Sequence, residues 1–248
     1  MTDMNMKTFD SIIIGAGPAG IAAAIELTRL GLSFAIYEEG EIGGQILAAN
    51  LIENYPGFPN GITGHDFVEL LKKQIRTLGI KIIHAGVNQI GKNKNFFLAT
   101  TSDGKILART VIIANGLAPK RLDIPGENAL FNKKIFAYID PQKVEHENKD
   151  ILVIGSGDAA FDQALNFARR AKSVTVVMKH DSPKCAQNIL SHLSKSKIKI
   201  LSNHVAILFE SASVIPAKAG IQCTFKKGDD NLSIAADIVI ECIGKEPR

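Results

Sequence analysis

Two glycine-rich stretches hold the residues whose type and spacing point to chemistry. Residues 15–20 read Gly-Ala-Gly-Pro-Ala-Gly, directly after a short β-branched run (9–14) and at the head of an alanine-rich segment with apolar residues at helical spacing (18–30). G-x-G-x-x-G between a strand and a helix predicts a diphosphate site. Gly15 permits the tight turn, Gly17 lets the main chain approach the phosphates, and Gly20 lets helix and strand pack closely. Pro18 and Ala19 open the helix, whose unpaired N–H groups face the anion. Glu38 lies 18 residues beyond Gly20, at the end of a predicted strand (33–37). A carboxylate there can accept hydrogen bonds from both hydroxyls of an adenosine ribose. A glycine-rich structural turn is the alternative reading; strand, helix and acid together favour a dinucleotide.

The same unit returns 140 residues later. Residues 155–160 read Gly-Ser-Gly-Asp-Ala-Ala, between a predicted strand (151–154) and a helix (158–171), with a further strand at 173–178. Gly155 and Gly157 repeat the first two glycines, Asp158 and Ala159 open the helix, and Ala160 takes the third place, which a slightly wider helix–strand contact accommodates. Eighteen residues beyond Ala160 stands Met178, followed by Lys179 and His180, so no acid marks the ribose position. Lys179, His180 and Lys184 suit a ribose carrying a 2′-phosphate, which favours NADP over NAD. The competing reading is a solvated basic edge, with Asp181 beside it. Two dinucleotide sites in one chain point to hydride passing from a nicotinamide to a flavin. That step needs alignment more than an acid or base, so no catalytic side chain is assigned.

The frame that must position these turns is legible in outline. A chain of 248 residues that is 46% hydrophobic can form two modest cores. The net charge of +4 is scattered, with no basic block to track a phosphate backbone, so nucleic acid is not an expected partner. The polar start lacks a secretory apolar stretch, and the following apolar run is broken by Gly15, Gly17 and Gly20, which predicts a cytoplasmic protein without a membrane span. Cys185, Cys223 and Cys242 are too far apart for a C-x-x-C pair or a zinc knuckle and read as reduced thiols. The six histidines show no metal-ligand spacing; all but His180 read as surface or structural, and no metal is expected. Further expectations are a Gly/Pro/Asn-rich stretch at 54–64, helices at 66–78 and 185–193, and strands at 110–114, 197–201, 205–209, 221–225 and 237–241. A crossover is expected at 115–126. Residues 213–222 (SVIPAKAGIQ) fit the strand pattern badly and are expected in a surface loop. The fold class is α/β: two Rossmann-like three-layer nucleotide-binding domains, the second inserted into the first.

With these residues in place, the chain resembles the low-molecular-weight thioredoxin reductases and the related ferredoxin-NADP reductases. The resemblance runs across nearly the whole sequence. It implies FAD at the first turn, with Gly44 and Gln45 in a G-G-Q turn and Asn54, from Glu53-Asn-Tyr-Pro-Gly57, near the flavin ring. It places Val87 against the adenine and makes Ala114 and Gly116 part of the family's crossover, with Asn115 where threonine is usual. It implies an FAD-binding domain over 1–116, a NAD(P)-binding domain over 117–241, and a return toward the first domain at 242–248 whose remainder is absent. Two departures shape the functional expectation. Where the family's thioredoxin reductases carry C-x-x-C, the corresponding stretch is Phe136-Ala-Tyr-Ile139, which cannot exchange with a disulfide. The chain also stops where the family re-enters its FAD domain. The expected function is FAD-dependent transfer of hydride from NADPH to flavin and on to an acceptor other than a dithiol-relayed disulfide, with a redox protein among the candidate acceptors and a homodimer as the family's usual assembly. The alternative is a truncated or degenerate nucleotide-binding protein without turnover.

Overall fold

The computed structural model describes residues 7–93, 95–211 and 220–247, and the chain divides into two compact units. The first holds the described residues up to Leu47 together with Ile62–Gly116; the second holds Ala48–Gly61 and Leu117–Pro247.

The first unit opens with strand β1 (Thr8–Ile14), helix α1 (Pro18–Arg29) and strand β2 (Phe34–Tyr37), followed by α2 (Gly64–Thr77), β3 (Ile82–Ile83), β4 (Val87–Asn93), β5 (Phe96–Thr101) and β6 (Gly104–Ile113). One sheet runs β3-β2-β1-β6-β5-β4. Its first four strands are parallel and the last two antiparallel. Alternation along β1 sends Ile13 to the helix face, with Ile21, Ala24 and Ile75, and Ile12 to the other, with Ala35, Ala99 and Ala108. The sequence predicts β6 only at 110–114; polar Lys105, Arg109 and Thr110 hide its period, yet the strand pairs with both β1 and β5. Thr63 caps α2, its hydroxyl oxygen accepting from the Asp66 amide at 3.1 Å.

The second unit continues with β7 (Leu117–Pro119), α3 (Glu127–Leu130), β8 (Ile135–Ala137), β9 (Asp150–Ile154), α4 (Asp158–Phe167), β10 (Ser173–Val177), α5 (Gln187–Leu193) and β11 (Lys199–Leu201). It ends with β12 (Val205–Ser211), β13 (Ile221–Lys227), β14 (Asp230–Ala236), β15 (Ile238–Glu241) and β16 (Lys245–Pro247). A parallel sheet β11-β10-β9-β15-β8 lies between two covers. On one face α4 buries Ala160, Phe161, Ala164 and Phe167 against Val153, Val176 and Ile240. On the other the antiparallel meander β12-β13-β14 buries Phe209, Ile221, Cys223 and Phe225 against Leu152, Val177 and Val239. Strand β16 returns to pair with β7 in a two-stranded ribbon.

Three sequence expectations need adjustment. Helix α4 ends at Phe167 instead of 171, because Ala168–Ala171 close it with a turn whose amides return to Ala164 and Phe167. Helix α5 begins at Gln187 instead of 185, after Ala186 in extended conformation. Of the 213–222 loop, residues 213–219 lie outside the described residues, whereas Ile221 and Gln222 open β13, where Ile221 is fully buried. Its apolar side chain fills the meander core, in keeping with the strand expected at 221–225, so the loop expectation fails at these two residues.

Phe225 is fully buried in that core. Phe225→Ala should cost about 3–5 kcal/mol in urea unfolding. A loss below about 1 kcal/mol would mean that the meander is not packed on the sheet as described.

Candidate functional site

In the first unit the turn between β1 and α1 is set by contacts that only glycine permits. Gly15 has φ +99°, and a Cβ there would lie 2.3 Å from the Ala114 carbonyl oxygen. A Cβ on Gly20 would lie 1.9 Å from the Gly15 carbonyl oxygen. Both glycines are therefore consumed by the approach of helix, turn and the end of β6. Gly17 differs: its backbone is extended, and an added Cβ would meet nothing nearer than the Gly43 carbonyl oxygen at 3.9 Å. That open volume sits at the N-terminus of α1, where Pro18 has no N–H and the next amides have no intrahelical partner. Glu38, just past β2, closes the arrangement: its carboxylate accepts from the Ala16 amide and from the Gly40 amide, each at 2.7 Å. A carboxylate has about four lone-pair sites, so two remain for ribose hydroxyls.

Of the other residues expected around this cofactor, Gly44 begins a 3-10 turn with Gln45, and Gly43 donates its amide to the Ala16 carbonyl at 2.9 Å, tying that turn to the glycine loop. Val87 begins β4, Ala114 follows β6 with its amide on the Ile14 carbonyl, and Gly116 has φ +70°. Asn54 alone belongs to the second unit.

The second unit repeats the turn. Gly155, with φ +153°, would place a Cβ 2.3 Å from the Cys242 carbonyl oxygen, while a Cβ on Gly157 would meet nothing nearer than the Lys184 carbonyl oxygen at 3.9 Å. Helix α4 starts at Asp158 with Gly157 as its extended cap, and Ala160 is buried where the helix meets the strand. A cleft of about 830 Å³ opens over this turn. Gly155, Gly157, Asp158, Ala159, Lys179, His180 and Lys184 all line it. Two hydrogen bonds deliver Lys184: its amide donates to the Ser156 carbonyl at 2.6 Å, and the Asp158 carboxylate accepts from the Ala186 amide at 2.8 Å. Lys179 and His180 are held by the loop after β11, where the His204 amide donates to the Met178 carbonyl and the Asn203 amide to the His180 carbonyl.

The cleft also collects residues that sequence reasoning passed over. His204, read as surface or structural, lines it, as do Tyr138, Glu241, Cys242 and Lys245. The Lys245 ammonium lies 4.0 Å from the centre of the Tyr138 ring. Burial holds the Lys245 pKa below its usual value, pushes the Cys242 thiol up to about 12, and raises Tyr138 well above an ordinary phenol. No sequence period signals these positions, because they come from strand ends and turns brought together only by the parallel register.

A buried charge cluster adjoins the cleft through Glu241. Glu127 and Glu241 are each 1% exposed, and both face Arg121, whose guanidinium stacks 3.2 Å from the centre of the Phe131 ring. Arg121 Nε donates to Glu127, while Glu241 lies 3.8 Å from the same nitrogen. Burial raises the Glu127 pKa, but hydrogen bonds from Arg121, from Glu241 and from the Ile124 amide outweigh it and hold that carboxyl below its usual value. For Glu241 burial dominates, the Glu127 carboxylate adds to it, and Arg121 only partly offsets them, so its pKa rises to about 8.

The segment Ala48–Gly61 is held on helix α4. Asp162 accepts from the Asn50 amide at 2.9 Å, Gln163 donates to the Ala48 carbonyl at 2.9 Å, and further along Asn188 of α5 donates to Glu53 at 2.5 Å. Asn54 is exposed in this strap, next to Glu53.

Residues 9–248 match the pyridine nucleotide-disulphide oxidoreductase family over this whole double arrangement. The chain belongs to that family. Among its relatives, a thioredoxin reductase of Helicobacter pylori is 35% identical over 199 residues, covering 79% of this chain and 64% of that protein. A bifunctional thioredoxin reductase/thioredoxin of Mycobacterium leprae is 30% identical, covering 96% and 52%. The chain thus spans about half to two thirds of the length of these relatives. A crystal structure of Lactococcus lactis thioredoxin reductase superposes with a TM-score of 0.87 at 27% identity, covering 97% of this chain and 78% of that one. A thioredoxin-reductase-like member of the pyridine nucleotide-disulphide oxidoreductases has two Rossmann-like units, as found here. Among the described residues no helix is long and apolar enough to cross a membrane.

The glycines separate folding from binding. Gly20→Ala should destabilise the fold by about 1–3 kcal/mol or more through overlap with the Gly15 carbonyl. Gly157→Ala should melt near the parent temperature yet bind NADP⁺ at least about tenfold more weakly, a change of about 1.4 kcal/mol. Unchanged NADP⁺ binding by Gly157→Ala would remove the turn from the site.

Proposed function

We propose that this chain is an FAD-dependent NAD(P)H oxidoreductase that delivers electrons to an acceptor other than a disulfide reached through its own dithiol. The observation that carries the reading is the repeated turn, with open space at Gly17 and again at Gly157, each at the head of a helix. Two sites of this form suit two dinucleotide diphosphates, which backbone amides and helix dipoles bind without a dedicated cation.

The residues fit FAD at the first turn. Gly17, Ala19 and Gly20 would present amides to the diphosphate, and Glu38 would accept from the ribose. Gly44, Gln45, Asn54, Val87, Ala114 and Gly116 are proposed as the remaining contacts. At the second turn Gly155, Gly157, Asp158, Ala159 and Ala160 shape the diphosphate seat. Lys179, His180 and Lys184 offer positive charge to a 2′-phosphate, so NADPH is the favoured donor over NADH. Bound FAD would supply the two-electron chemistry; the protein's part is to hold the two rings in line and exclude water.

The acceptor reading is supported by the thiols. No two of the three cysteines are separated by only two residues. Burial raises the pKa of Cys185, Cys223 and Cys242, the last two to about 12, which suppresses the thiolate that exchange requires. A redox protein or a small oxidant is the proposed electron sink, and a homodimer the proposed assembly.

Purified protein reconstituted with FAD should be yellow and bleach anaerobically on NADPH addition. FAD at 100 times its dissociation constant should stabilise the fold by about 2.7 kcal/mol. Colourless protein with no thermal shift would defeat the flavin assignment. Lys179→Glu should weaken NADPH use far more than NADH use, and an equal effect on both would remove the 2′-phosphate assignment.

A further inference from the structure

Glu241 is an unexpected side chain for an anion site. It ends β15 opposite Ile154, one residue before Cys242, whose carbonyl abuts Gly155 of the glycine turn. Its side chain is fully buried, the residue lines the cleft, and no N–H or hydroxyl donor among the described residues reaches either carboxylate oxygen, so its one hydrogen-bond partner is the Glu127 carboxylate, which it can satisfy only as a neutral acid. Arg121 is the one guanidinium in contact with it among the described residues, and Arg121 already donates to Glu127. One cation thus faces two buried carboxylates, and ionising both leaves a net negative charge in a site with little solvent. A third acid, Asp123, adds to the repulsion.

The basic side chains lining the same cleft lie elsewhere around it. Lys179, His180, Lys184 and His204 come from the ends and loops of β10 and β11, and Lys245 follows on Glu241's own segment, over Tyr138. Asp158, the remaining acid of the cleft, is engaged by the Ala186 amide. Glu241 is therefore the carboxyl whose charge, buried beside the glycine turn with no N–H donor to offset it, would act through space on a bound diphosphate.

We propose that Glu241 couples nucleotide binding in this cleft to a proton: the dinucleotide binds the form in which Glu241 is a neutral acid, and binding takes up a proton whenever the free protein has lost it. The proposal rests on the dinucleotide reading of the cleft and adds a residue and a pH dependence to it. The sign follows from the charges. A bound anion disfavours ionisation of Glu241 and so raises its pKa further, which makes affinity fall as pH rises through the value of the free protein, about 8. Were only the protonated form competent, the competent fraction would drop about tenfold between pH 7 and pH 9. The neutral acid also donates a hydrogen bond to Glu127, which the carboxylate cannot.

Calorimetric titration of the full chain with NADP⁺, in buffers of different ionisation enthalpy, tests this without turnover. The expected result is a dissociation constant about tenfold weaker at pH 9 than at pH 7, with close to one proton taken up per nucleotide at pH 9. In Glu241→Gln, which keeps the shape and fixes the neutral state, the constant should be flat and the uptake should vanish. Uptake that persists in E241Q belongs to Lys245 or the cleft histidines and overturns the assignment. Should E241Q not fold, the wild-type chain still decides, since no uptake at pH 9 overturns the proposal. Absence of NADP⁺ binding at every pH is a different result: it removes the dinucleotide reading itself.

Discussion

The approach of a helix to the strand before it, close enough that the turn has no room for a side chain, is the constraint on which both nucleotide-binding units depend. At Gly20 a methyl group would stand 1.9 Å from the Gly15 carbonyl oxygen. At the second turn Ala160 keeps its methyl, and the squeeze falls instead on Gly155, whose added Cβ would lie 2.9 Å from it. Because helix and strand meet so closely, the first helical amides converge over one small volume, and the middle glycine leaves that volume empty. Folding and the proposed anion binding are thus divided among neighbouring residues of one six-residue motif.

This division explains why some features are readable in the amino-acid sequence alone. Glycine spacing, β-branched runs and the alanine-rich helix of residues 18–29 are local properties, and local sterics fix them whatever surrounds them. Glu38 is legible because a strand of known length puts it at a known place. The same rule, applied after β10, finds Lys179 and His180, and both line the cleft beside the turn. Thioredoxin-reductase-like membership is legible for the same reason, since its motifs are ordered along the chain.

What escapes sequence reading depends on partners remote in the chain. Glu241 looks like an ordinary strand-end acid until the register of β15 against β9 sets it beside Arg121, 120 positions earlier. His204 and Tyr138 reach the cleft from loops, and Tyr138 does so in a left-handed conformation, φ +47°, that no pattern of side chains announces. The grouping of Ala48–Gly61 with the second unit goes with hydrogen bonds over more than 110 residues of chain, in which Asp162 accepts from the Asn50 and Leu51 amides and Gln163 and Asn166 donate to the Ala48 carbonyl. Strand β6 shows only in part, because its exposed lysine, arginine and threonine mask the alternation that its neighbours enforce.

Main-chain amides at the head of α4 are proposed to hold a diphosphate. Amide-resolved NMR of isotopically labelled protein titrated with NADP⁺ addresses this most directly. The amides of Gly157, Asp158 and Ala159 should move first and furthest, with Lys179 and Lys184 shifting at the other end of the same ligand. Saturable binding that leaves those three amides unmoved would contradict that proposal.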